Sequence, residues 1–135
     1  MRYTFKKEER LCSHILIQEL LKEGNSFFVF PFRCVWKLTE QSDSPVQIAF
    51  SVPKRKFKHA NKRNLVKRQL RNIYRIEKGT LTEKMMDSKK SLTCLLVYNT
   101  SDILDYSLLE EKIKTILLRL EEQLFVSLKN NEPSI

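Results

Sequence analysis

Between Lys54 and Lys78 the chain sets eleven lysines and arginines against a single acid, Glu77, and threads four apolar residues through them at helical spacing. At ~100° per residue, Val66, Leu70, Ile73 and Tyr74 fall on one side of a helix predicted over Ala60 to Ile76. Asn64, Lys67, Arg68, Arg71 and Arg75 fall within an arc of roughly 100° on the other. A helix divided this way must lay its apolar side on other elements and leave its cationic side outward. The apolar runs before and after it have strand length, so the surface it packs on is a sheet.

Those flanking runs define the rest of the fold. Ser13 is a plausible N-cap for a first helix ending near Glu23, with Gly24 as a left-handed stop. Leu11, Ile15, Ile17, Leu20 and Leu21 give that helix a broad apolar side. Phe27 to Leu38 is rich in aromatic and β-branched residues but contains Pro31, which implies an edge strand, a bulge or a split into two strands. Gln41 to Pro45 reads as a turn, and Val46 to Val52 as a strand ended by Pro53. Lys78 to Ser91 is polar and reads as a loop, and Leu92 to Tyr98 as a short buried strand. Ser107 with Glu110 makes a capping-box pattern ahead of a last helix. Its stripe, Leu109, Ile113, Ile116, Leu117, Leu120 and Leu124, belongs to the core.

The resulting order is α-β-β-(β)-α-β-α, an α+β, two-layer α/β sandwich, with the bracketed strand present if Pro31 divides the first run. With 135 residues and two glycines, the expectation is one domain over 1–135 with short connections, its core at about 8–126 and a frayed tail at 129–135. There is no repeat or low-complexity tract. No apolar run reaches the ~20 residues of a membrane span, and the N-terminal residues lack the apolar stretch of a secretory signal. The expectation is a cytoplasmic protein without a membrane partner.

The formal charge is +9. The segment from Lys54 to Lys78 alone carries +10, which leaves −1 for all other residues. An ordinary solvated helix face interleaves both signs for internal pairing, whereas this one has no acid before Glu77. Four cations and one amide on an exposed arc form a surface for phosphates, the cations neutralising charge and Asn64 adding a directed donor and acceptor. Lys54, Arg55, Lys56 and Lys58 extend it toward the sheet end. So many like charges in one place oppose folding unless a polyanion screens them.

Little points to chemistry on the side chains themselves. Cys12, Cys34 and Cys94 are odd in number and widely spaced, which reads as reduced thiols, with Cys34 and Cys94 in the core. His14 and His59 are single and read as surface residues. Asp102 and Asp105, like Glu110 and Glu111, lie far along the chain from the basic face. A metal-dependent protein nuclease would need its carboxylates clustered. No catalytic residue, metal ligand or protein-held cofactor is expected.

The run Phe50-Ser51-Val52-Pro53-Lys54-Arg55, followed by Lys62-Arg63-Asn64-Leu65-Val66-Lys67-Arg68-Gln69-Leu70-Arg71, resembles the signature of the protein subunit of bacterial ribonuclease P. In that family a strand ends in a Ser-Val-x-Lys-Lys-like sequence, and a helix beginning Arg-Asn-Arg-x-Lys-Arg follows. Arg10-Leu11, Gly24, the late strand and the terminal helix match the family's order, so the likeness covers about residues 8 to 126. It implies a fold related to the second domain of a ribosomal small-subunit protein, with a left-handed β-α-β crossover. It implies contact with the catalytic RNA subunit through Arg63, Asn64, Lys67, Arg68 and Arg71, to which the charge pattern adds Lys54, Arg55 and Arg75.

The resemblance further implies a cleft between the first helix and the sheet for the single-stranded 5′ leader of precursor tRNA. Hydrolysis would belong to the partner RNA with Mg²⁺, and no obligate protein partner is apparent. The chain departs from the family pattern at two places. Leu65 stands where the Arg-Asn-Arg triplet has its second arginine. Ile17 and Leu21 stand where the first helix often offers two phenylalanines to the leader, and aliphatic side chains cannot stack on bases as rings do. Phe30, Phe32 and Trp36 are the aromatic candidates for that task. Two other readings remain at the level of sequence, a structural RNA-binding protein such as a ribosomal component and a DNA binder. The strands around the basic helix oppose the second, because a helix-turn-helix needs a helical neighbour.

Overall fold

The computed structural model describes residues 7–11, 13–42 and 44–130. In chain order they form a 3-10 turn (Lys7–Glu9), α1 (His14–Glu23), β1 (Asn25–Val29), β2 (Phe32–Glu40), β3 (Val46–Ser51), α2 (Ala60–Glu77), α3 (Gly79–Ser88), β4 (Lys90–Tyr98) and α4 (Tyr106–Asn130). The strands make one sheet in the order β1-β2-β4-β3. β2 runs antiparallel to both β1 and β4, while β3 and β4 are parallel. A parallel pair needs a crossover connection, and α2 with α3 supplies it.

Alternation along the strands sorts the side chains into two faces. Phe32, Cys34 and Trp36 of β2 join Val46 and Ile48 of β3 and Leu92, Cys94, Leu96 and Tyr98 of β4 in the main core. Onto that face pack Val66, Leu70, Ile73 and Tyr74 of α2 and the whole predicted stripe of α4. The apolar side read from the sequence of α2 is therefore the side that is buried. The opposite face carries a smaller cluster, Val35 and Leu95 under Leu11 and Leu20, with Leu16 and Ile17 packed against it. To the two layers expected from sequence, α1 thus adds a partial third.

Pro31 does split the first apolar run. β1 and β2 form a hairpin joined by Phe30 and Pro31, whose peptide bond is cis. The thiols of Cys34 and Cys94 are buried and lie 3.5 Å apart in the main core; Cys12 falls outside the described residues. The outer edge of β3 is covered, because Leu11 N–H donates to Ile48 O (3.0 Å) and the Gln47 amide donates to Glu8 O (3.1 Å). Covering an edge this way removes a template for unwanted strand pairing.

Five expectations need correction. Gly24 is not left-handed: its φ of −71° and ψ of 155° are extended. Glycine is needed there because a Cβ would run into Leu20 O and come within 2.9 Å of Val35 Cγ1, where the chain turns from α1 into the sheet. The predicted loop from Lys78 to Ser91 contains α3, whose Leu81 and Met85, one turn apart, are buried in the main core. Lys89, at φ 60°, ends α3, and β4 begins at Lys90. Ser107 is inside α4 rather than at its cap; the helix starts at Tyr106 and Asp105 O receives the Leu109 N–H (3.0 Å). Ile15 and Leu21, assigned to the apolar side of α1, are exposed. Of the predicted tail, Lys129 and Asn130 belong to α4, and 131–135 lie outside the described residues.

Candidate nucleic-acid interface

The cationic side of α2 is presented by the packing of its other side. With Val66, Leu70, Ile73 and Tyr74 against the sheet, Asn64, Arg68 and Arg71 are exposed and Lys67 is half-buried. These four lie at i, i+3, i+4 and i+7, which makes one continuous stripe. The first turn of α2 contains no acid, and its N-cap, His59, makes no side-chain cap bond. Cations near the positive end of a helix dipole are unfavourable until an anion arrives. The one acid of the segment, Glu77, points elsewhere, toward Lys114 of α4 at 3.8 Å.

Three of the segment's cations are tied to the protein. Arg63 donates from Nη1 to the carbonyls of Phe57 (2.8 Å) and Lys58 (3.3 Å). Arg75 donates to the side-chain oxygen of Asn72, whose own amide donates to the Tyr106 hydroxyl (2.7 Å) at the α2–α4 seam. Lys78 is turned inward and forms an ion pair with Glu9, although the charge pattern groups it with the outward cations.

The loop before α2 has its own anchors. Val52 and Phe57 are buried, and the Phe57 ring stacks on Tyr98 with centroids 6.0 Å apart and planes 30° from parallel. Between them Pro53 O receives the N–H groups of Lys56 (3.0 Å) and Phe57 (3.3 Å). This turn leaves Lys54, Arg55 and Lys58 exposed beside the start of α2.

On the other face of the sheet, α1 covers the row that contains Val35 and Leu95 and leaves the next row open. That open row runs Phe28, Arg33, Val97, Ser51 across all four strands. Phe28 and Arg33 are exposed, and Val97 and Ser51 are half-buried. The row ends at Ser51, three residues before Lys54, so an aromatic, a cation and the basic turn share one margin of the sheet.

This geometry changes the aromatic candidates. Phe32 is fully buried against Tyr98, and Trp36, 3% exposed, donates its indole N–H to the Gln123 side chain (2.9 Å). Both point into the main core and offer no face to a ligand, which corrects their assignment to the leader. Ile17 packs α1 onto the sheet, while Leu21, one turn on, is exposed. Phe30, at the hairpin tip, is exposed. Sequence reasoning missed Phe28 and Arg33, although a signal existed. Once Pro31 divides the run, alternation sets Arg33 and Val35 opposite Phe32, Cys34 and Trp36.

Among the described residues no group of three or more His, Cys, Asp or Glu side chains is arranged to hold a metal ion. No described helix is long and apolar enough to cross a membrane.

The family model described as Ribonuclease P matches residues 5–121. Over 131 residues the sequence is 29% identical to the ribonuclease P protein component of Porphyromonas gingivalis, covering 96% of both chains. Among solved structures, the RNase P protein from Thermotoga maritima superimposes with a TM-score of 0.65 at 22% identity, over 82% of this chain and 96% of that one. A Staphylococcus aureus RNase P protein, a mutant with defective mRNA degradation activity, gives a TM-score of 0.65 at 16% identity, over 85% and 90%. At these identities the two structures speak for the fold.

Proposed function

Because the chain belongs to the ribonuclease P protein family, the protein component of an endoribonuclease ribonucleoprotein, we propose that its α2 stripe and basic turn bind the catalytic RNA while the open sheet row holds the 5′ leader of precursor tRNA. The RNA-facing residues are Asn64, Lys67, Arg68 and Arg71, with Lys54 and Arg55 on the turn; Arg63 and Arg75, whose guanidinium groups bond within the protein, flank the stripe. The leader passes Phe28 and Arg33, with Leu21 and Phe30 nearest in character at the margins.

The observation that carries this reading is the acid-free stripe of α2, held outward by the buried side of the same helix. A charge surface of this kind supplies affinity without base specificity. That suits a partner recognised by its folded backbone. Phe28 beside Arg33 suits a single strand, on which a ring stacks and a guanidinium meets phosphate. Phosphodiester hydrolysis belongs to the RNA, through Mg²⁺ bound there; the protein neutralises charge and positions the leader. The site of action is the cytoplasm.

The test is reconstitution of the protein with a bacterial ribonuclease P RNA and precursor tRNA at low Mg²⁺. The expected result is stimulated release of the 5′ leader. No stimulation, with the RNA shown to be active alone at high Mg²⁺, would reject the reading.

A further inference from the structure

We propose that Arg63 is a positioning residue, which acts on the RNA by locking the basic turn Lys54–Lys58 against the start of α2. The inference rests on the RNA-binding reading above and refines the role of one residue in it. The chain leaves the sheet at the buried Val52 and enters α2 at Ala60, with three exposed cations on the intervening turn. A turn of that composition repels itself. Its N-terminal half is closed by the bonds to Pro53 O and its middle by the burial of Phe57. From Phe57 onward the turn's carbonyls point to α2, and Arg63 Nη1 meets two of them, Phe57 O and Lys58 O.

The position of Arg63 makes this possible. It lies in the first turn of α2, its N–H bonded to His59 O at 3.3 Å, and helical side chains lean toward the N-terminus. Its guanidinium therefore swings back over the turn rather than outward along the Asn64–Arg71 stripe. A rigid planar fork holds such a geometry better than a flexible ammonium does. Fixing Lys54, Arg55 and Lys58 before the RNA arrives removes the ordering they would otherwise undergo on binding.

The test combines binding and exchange on the full-length protein, with ribonuclease P RNA as the probe. Arg63→Lys keeps the charge and removes the fork. It is expected to weaken RNA binding by ~10-fold and to speed hydrogen exchange at the Lys56 and Phe57 amides of the free protein. In Arg63→Ala the salt slope of binding is expected to fall by more than the about one unit of a single lost phosphate contact, because the turn's cations are displaced with it. Arg68→Ala serves as the control, expected to lower the slope by about one unit and to leave turn exchange unchanged.

Wild-type affinity in Arg63→Lys, or unchanged turn exchange in both Arg63 variants, would overturn the proposal. A normal melting temperature for Arg63→Lys shows that the fold is intact and that the effect is local. Loss of turn protection with no effect of Arg68→Ala on RNA binding would instead reject the α2 face as the interface and leave the locking of the turn in place.

Discussion

Phe28 and Arg33 stand opposite each other across the β1–β2 hairpin, on the sheet face that α1 leaves open. Directly opposed residues in an antiparallel pair project to the same side, so an exposed ring and an exposed guanidinium are held side by side. The same hairpin sends Phe32 to the other face, into the core.

That pairing predicts a leader-specific defect. Phe28→Ala should weaken binding of precursor tRNA by the reconstituted holoenzyme by about 1–3 kcal/mol, the range for losing one stacked base. Mature tRNA, which has no leader, should bind as before. Equal losses for both RNAs would show that Phe28 acts on something other than the leader.

The inward turn of Lys78 separates it from the other cations of its segment. Its pair with Glu9 joins the N-terminal turn to the α2–α3 junction. Lys78→Ala should destabilise the fold by about 1–3 kcal/mol, since it removes the ammonium from a largely buried ion pair. It should leave the salt slope of RNA binding unchanged. Chemical denaturation and a salt titration of the same variant measure the two effects separately.

Burial sets a limit on stability at alkaline pH. Tyr74 is pushed up from its ordinary 10.0, first by burial and then by nearby Cys94 and Glu9, and Cys34 is pushed up from 9.0, first by its hydrogen bond with the Cys94 thiol and then by burial. Both groups stay protonated in the folded state at pH values where the unfolded chain has lost those protons. Their stabilising contribution is complete below about pH 9 and falls as pH rises past the unfolded values. One such group contributes up to about 1.4 kcal/mol per pH unit. The melting temperature should decline between pH 9 and 11, and less steeply in Tyr74→Phe than in the parent chain. Identical slopes would remove Tyr74 from the explanation.

The strength of a local pattern decided how much could be read without coordinates. The faces of α2 and the stripe of α4 were legible because helical spacing needs only the residues of one element. A disruption at Pro31 was legible from proline's missing N–H, but its form, an edge, a bulge or a split, was not. α3 was hidden because its stretch offers only Leu81, Met85 and the exposed Met86 among polar residues, too few to signal a helix until β4 and α4 bury Leu81 and Met85. Gly24 has no left-handed φ; it makes room for Leu20 and Val35, a tertiary demand that a helix-stop rule cannot see. The cationic stripe of α2 was legible as charge. Phe28 and Arg33 left a weaker signal, the alternation around Pro31, which assigns their face only once the exact point at which the hairpin turns is known. The committed bonds of Arg63 and Lys78 were beyond any count of charges.

The central claim is that the exposed stripe of α2 meets RNA phosphates, and the salt dependence of binding measures it most directly. The affinity of the Arg68→Ala, Arg71→Ala double variant for ribonuclease P RNA, titrated with monovalent salt beside the parent chain, should show a log–log slope shallower by about two units. A slope equal to the parent's, from a variant with an unchanged melting temperature, would contradict the account.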